Sequence, residues 1–303
     1  MGVTALALLA FLGDGHTMNN GKYAHVVKRG ISWLLDQQDR ESGLIGDKVA
    51  HDFLYDHAIA TLALCEVVNM DKSASVKRKA KKAVEFIVQS RNPYRAWRYA
   101  SPADGENDSS VTGWMVFALK SAQDCGLVVG KDAFTSSIEW FDEMSDPGTG
   151  RCGYMERGSA SSRVKGVNME GFPIQDVEAL TAVSLLCRFF LDQKPEDTEI
   201  MERQADLLLK SLPKWSEDGS TNDMYYWYYG SYAMYQMDGK YWKAWEKAMK
   251  PAMVDTQRGD GAAKGSWDPN GPWGHSGGRV YSCLLYTSPS PRDRTRSRMP
   301  SSA

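Results

Sequence analysis

The sequence predicts an all-α fold: an α/α toroid of up to six inner and outer helix pairs, with the last pair cut short. Three observations carry this. A bulky residue four or five positions before a helix stop recurs at Trp33, Phe86, Trp140, Leu208 and Met253, at intervals of 53, 54, 68 and 45 residues. A second landmark opens each apolar helical run, at Thr4-Ala5, His57-Ala58, Thr112-Gly113, Thr181-Ala182, Tyr229-Gly230 and Tyr281-Ser282, at intervals of 53, 55, 69, 48 and 52. Helices of two polarities alternate between these marks. Two landmarks that keep one period and share one long interval identify an internal repeat, and pairs of helices stacked in this way bury a continuous core.

Each element follows from its own residues. "MGVTALALLAFLG" at the start is apolar but lacks a basic residue before it and a small-x-small cleavage site after it, so it reads as a core helix. At about eleven apolar residues it is shorter than the ~20 needed to span a bilayer. No other run approaches that length, so the visible chain reads as soluble without an integral membrane segment, and an upstream targeting segment is left open. "RGISWLLDQQDRESG" (29–43) is an amphipathic helix running into a turn. "HAIATLALCEVV" (57–68) and "LTAVSLLCRFFL" (180–191) are apolar nearly all round and belong inside, whereas "KSASVKRKAKKAVEFIVQS" (72–90) has six Lys or Arg and one apolar stripe and belongs outside. The stops "DRESG", "RNPYRAW", "SDPGTG", "PKWSEDG" and "QRGDG" are turns, because Pro lacks an N–H and Gly favours the left-handed cap. The long third interval holds "SASSRVKGVNMEG" (159–171), a Ser/Gly-rich loop insertion.

The toroid domain covers residues 1–282 and reads as truncated at both ends. Residues 283–303 differ in kind: "CLLYTSPSPRDRTRSRMPSSA" has no periodicity and four Arg within seven residues. "CLLYTSPSPRD" resembles a translated sequencing adapter, which makes the segment a non-native, disordered tail. The formal charge of −2 comes without a basic stripe, so nucleic acid is excluded as a partner. Five cysteines (65, 125, 152, 187, 283) show no CxxC pair and no metal-ligand spacing, and read as buried free thiols.

Helix, then Gln or Arg, then a turn with Gly and Trp, as in "WLLDQQDRESGLIG", "FIVQSRNPYRAWRY" and "MVDTQRGDGAAKGSWDP", resembles the repeat of the terpenoid cyclases and protein prenyltransferases. Within that superfamily the chain is most similar to uncharacterised prenyltransferase and squalene oxidase repeat proteins, which have squalene–hopene cyclase-like repeats. The resemblance runs over roughly residues 3–282 and is most specific at "QRGDGAAKGSWDP" (257–269). It implies a Gln and a Trp tucked under the next outer helix, and an isoprenoid in a central cavity. The catalytic signatures do not carry over. In place of an Asp-x-Asp-Asp-Thr run stands "QDVEALT" (175–181); Cys152 and His275 lack the context of a zinc site; "CGYM" (152–155) departs from the thioester Cys-Gly-Glu-Gln after two residues. No cofactor and no metal are expected.

The residues themselves leave a short set of candidates. Asp56, Asp108, Asp176 and Asp223 precede inner helices, where they form either a carboxylate ring at one mouth or helix caps. Asp176 with Glu178 is the candidate acid/base pair, and His57 beside Asp56 a second, although neighbouring helical positions diverge by about 100°. "DMYYWYYGSYAMY" (223–235) puts seven aromatics on one helix. Tyr225, Trp227, Tyr228 and Tyr229, with Trp114 and His275, are the candidate ligand-binding set, suited to an apolar or cationic ligand, or else the plug of a solid centre. Three functions are open: a protein holding an isoprenoid-like apolar small molecule, a carbohydrate-active lyase or hydrolase with a carboxylate pair, and a non-catalytic binding or scaffold protein.

Overall fold

The computed structural model describes residues 1–159 and 178–287. Among these there are eleven α-helices, one 3-10 turn (Gly261–Ala263) and no strand: α1 (Gly2–Gly13), α2 (Ala24–Asp36), α3 (Phe53–Asp71), α4 (Ala74–Gln89), α5 (Ser109–Asp124), α6 (Lys131–Met144), α7 (Ala179–Phe190), α8 (Glu199–Lys210), α9 (Met224–Met237), α10 (Gly239–Val254) and α11 (Gly274–Thr287). Residues Met1–Trp140 form one compact unit and the second begins at Phe141. No described helix is long and apolar enough to cross a membrane. Most of the 159–171 insertion, and the tail from residue 288, lie outside the described residues.

In the first unit α3 packs between α1 and α5, with α2 against α1 and α4 against α3; in the second α9 packs against α7, α11 and α10, and α8 against α7. Burial separates the helices into two kinds. On α5, 14 of 16 residues are buried, on α7 11 of 12 and on α3 13 of 19. On α2 only Val27, Ile31 and Leu34 are buried, and α4 presents one apolar face beneath its lysines. The all-round apolar helices are therefore enclosed and the striped ones lie outside, because each apolar surface has to find a partner. The opening segment forms α1, with Leu6, Leu8, Leu9 and Leu12 in the core.

Two boundaries differ from the sequence reading. The apolar helices begin earlier than the second landmark: α3 starts at Phe53, α5 at Ser109 and α11 at Gly274, so His57 and Thr112 sit about a turn inside and Tyr281 about two. At the other end α11 continues to Thr287 beyond the expected break at 282, with Leu285 buried. Among the bulky residues before the stops, Trp33 is 41% exposed and its neighbour Leu34 takes the buried place, whereas Phe86, Trp140, Leu208 and Met253 are buried as a set.

The turns are built alike. In "DRESG" the Asp39 carboxylate accepts the Ser42 N–H and hydroxyl, both at 2.7 Å; in "DPGTG" Asp146 accepts the same two groups of Thr149 at 2.7 and 2.8 Å. These bonds hold both carboxyls below the usual carboxylate range, with the Ser42 hydroxyl the largest cause at Asp39 and the Thr149 N–H at Asp146. Each turn ends on a glycine at positive φ, 82° for Gly43 and 84° for Gly150. A Cβ at Gly43 would meet the Lys82 carbonyl oxygen on α4 at 2.4 Å, and one at Gly150 would meet Arg203 on α8 at 2.9 Å. Only glycine lets these turns slide under α4 and α8, each the second helix after its turn. The Gln38 amide donates to Lys79 O at 3.0 Å beneath α4.

A further bond recurs from repeat to repeat. The N–H of Ile45 donates to His57 Nδ1 (3.0 Å), that of Trp97 to Thr112 Oγ1 (3.3 Å) and that of Cys152 to Thr181 Oγ1 (3.2 Å). The acceptors are the residues of the second landmark, so each loop is tied to the enclosed helix that follows it. Two indoles repeat as well: Trp97 Nε1 donates to Ile87 O and Trp267 Nε1 to Met253 O, each at 2.8 Å, securing the carboxyl ends of α4 and α10.

Candidate functional site

The aromatics of α9 divide between two faces. Tyr226 faces α10: its ring meets Trp245 edge-on at 5.5 Å and its hydroxyl donates to Ser211 O at 3.0 Å. Gly230 makes room for Trp245, since a Cβ there would lie 2.3 Å from the indole. Tyr225, Tyr228, Tyr229 and Tyr232 fall at i, i+3, i+4 and i+7 and form a stripe turned away from α10. Their rings touch in sequence: Tyr225–Tyr229 at 5.2 Å, Tyr228–Tyr229 at 5.3 Å and Tyr228–Tyr232 at 5.2 Å, all edge-on. Trp273 extends the row beyond Tyr225, with ring centres 6.3 Å apart. All four tyrosines are buried. Burial pushes the Tyr229 phenol well above its usual range, with Tyr225 and Tyr228 adding to it, so it stays neutral. Tyr226 and Tyr281 are raised by burial in the same way.

Trp227 does not belong to the stripe. It stands about 160° around the helix from Tyr225, and is buried on the far side. Trp114 is buried on α5 in the first unit, stacked near Phe117 with ring centres 6.4 Å apart. His275 is exposed at the start of α11. Tyr232 completes the row and the sequence reading passed over it; the i+7 spacing from Tyr225 was the signal available. A small pocket lies beside the row, lined by Asn222, Met224, Trp273, Gly274 and Tyr281 among others, with room for about one water molecule.

The carboxylates do separate jobs. Asp108 Oδ1 accepts the Val111 N–H at 2.7 Å and Asp223 Oδ1 the Tyr226 N–H at 3.0 Å, which caps α5 and α9. Asp108→Ala is expected to lower stability by about 1–2 kcal/mol, read from urea unfolding. Asp56 lies in the first turn of α3 rather than before it, and accepts the Gly2 N–H at 2.7 Å, satisfying the start of α1 instead of its own helix. Glu178 is buried beside α7, ion-paired with Arg151 at 2.5 Å and accepting the Thr181 hydroxyl at 2.7 Å. Its proposed partner Asp176 lies outside the described residues.

His57 and Asp56 do not form a couple. His57 Nδ1 accepts the Ile45 N–H, which requires the tautomer whose Nε2–H donates to Ala83 O at 3.0 Å. Complete burial drives the imidazole pKa down to about 4, against the raising effect of the Ala83 bond. Both nitrogens are occupied by backbone, and Thr112 and Thr181 hold the equivalent place in other repeats, so His57 fastens the fold. Among the described residues no group of three or more His, Cys, Asp or Glu is placed to hold a metal ion.

Two comparisons bear on relationship: no known family model and no curated protein matches the chain.

Proposed function

We propose that the chain is an α/α toroid of squalene–hopene-cyclase-type repeats that binds an isoprenoid-like apolar molecule against the tyrosine stripe of α9, and that the described carboxylates and His57 are not its catalytic groups. The stripe carries this reading. Four buried phenol rings at helical spacing, facing away from the outer helix, offer a long apolar wall with electron-rich faces. The glycine-docked turns and recurrent loop ties support a stack of equivalent helix pairs, and the toroid is the closed form of such a stack. Asp56, Asp108, Asp223 and Glu178 are committed to N–H groups, a hydroxyl and an arginine, which favours binding over acid catalysis.

A second reading has its own support: the four rings are already covered, which suits a scaffold with a solid centre. Native mass spectrometry of the purified chain, alone and incubated with all-trans-farnesol, separates the two. Binding at the stripe predicts a bound farnesol or co-purifying polyprenyl mass, with affinity weakened about tenfold or more by Tyr228→Ala and retained in Trp227→Phe on the opposite side. A folded chain that carries no lipid and takes up no farnesol would leave the scaffold reading standing.

A further inference from the structure

The outer helix α2 exposes apolar side chains in mid-helix. Its Val27, Ile31 and Leu34 are buried, and Gly30 rests on α1, where a Cβ would come within 2.9 Å of Leu8. Beside that contact Val26 and Trp33 stand open, 39% and 41% exposed. Among the described residues no other helix exposes an aromatic ring, and Phe86 and Trp140, which hold the place of Trp33 before later stops, are buried. The two residues belong to a longer line. Val26, Arg29, Trp33 and Asp36 are spaced i, i+3, i+7 and i+10, which keeps them within about 80° of one another around the helix. Arg29 and Asp36 are exposed as well. The line has the spacing of a helix–helix seam, with a cation on one side of the indole and an anion on the other.

Such a line matches a reversed copy of itself. When two α2 helices run antiparallel with a two-fold axis at Trp33, Arg29 lies about 6 Å before the axis and Asp36 about 4.5 Å beyond it, at a rise of about 1.5 Å per residue. Arg29 of each copy then faces Asp36 of the other with an offset of about 1.5 Å, and the two indoles meet at the centre. An in-register parallel pair would set Arg29 on Arg29 and Asp36 on Asp36. Charge therefore selects the antiparallel partner.

We propose that α2 docks on α2 of a second copy of this chain, antiparallel about Trp33, with the paired indoles buried and two Arg29–Asp36 ion pairs flanking them. One helix face buries little area beside the ~1,600 Å² of a standard interface, so the association is weak, with a dissociation constant of about 10–100 μM. The seam uses no residue of α9, so it stands apart from any ligand bound there.

Sedimentation velocity of the full-length chain from about 2 to 200 μM tests this. The expected result is a monomer at the low end and a dimer at the high end. Arg29→Asp and Asp36→Arg each set two like-charge pairs across the axis and weaken the dimer about tenfold or more. Combined in one chain they restore both pairs with the signs exchanged, and the dimer returns. Trp33→Ser removes the central contact and the dimer with it. The reversals change only exposed positions, so they report on the contact even where loss of Trp33 disturbs the fold. A chain that stays monomeric across this range overturns the proposal. So does a dimer that survives both single reversals, or one that the double reversal leaves as weak as the singles.

Discussion

His57→Leu is expected to lower the free energy of unfolding by about 3 kcal/mol at neutral pH, because leucine fills much of the space but leaves the Ile45 N–H and the Ala83 carbonyl buried without partners. Urea unfolding followed by far-ultraviolet circular dichroism reads the loss directly. The same residue predicts a pH dependence. The folded pKa of about 4 lies below the unfolded value near 6.5. Above pH 6.5 both states are neutral and the contribution is flat. Between 6.5 and 4 the unfolded chain takes up a proton that the folded chain refuses, so stability falls as pH falls, by about 3 kcal/mol near pH 4. His57→Leu should lose this portion of the acid slope. A variant that keeps the full slope would show that the imidazole is not the group responsible.

The second large effect is expected at Gly230. Valine there drives its Cβ to within 2.3 Å of the Trp245 ring, which is fully buried, held by Ser231 Oγ at 3.0 Å and blocked by Tyr226. The ring has no free space to retreat into, and the cost is about 3 kcal/mol or more. Gly230→Ala should cost less, since alanine gains about 1 kcal/mol of helix propensity that offsets part of the clash. Pairing Gly230→Val with Trp245→Leu should recover much of the loss, and a double-mutant cycle with no coupling would place the clash elsewhere.

Much of the helical framework was legible because it depends on pattern. The alternation of all-round apolar runs such as 57–68 with the lysine-rich stripe of 72–90 gives the two kinds of helix, and Gly43 and Gly150 mark turns that only glycine can make against α4 and α8. What side chains hold was much less legible. Asp56 looks like a cap in sequence, yet its oxygen satisfies α1 because the start of that helix happens to lie beside it in space. His57 and Asp56 are adjacent in the chain and still face different partners. The split of the α9 aromatics depends on Trp245 occupying the notch at Gly230, a contact between two helices that no spacing within one helix reveals. Tyr232 was legible from its i+7 spacing and was passed over; Trp227 was grouped with its neighbours although a helical wheel already sets it apart.

The loop ties bear on how such a chain can acquire new properties. Donor and acceptor are separated by 12 residues at Ile45–His57, 15 at Trp97–Thr112 and 29 at Cys152–Thr181, while the bond length stays between 3.0 and 3.3 Å. The anchoring points are fixed and the length between them is free. Each loop can therefore act as a cassette: a foreign segment spliced between the two anchors is expected to leave the bond between them in place. The repeat can diversify, by evolution or by grafting, where the separation between anchors already ranges from 12 to 29 residues.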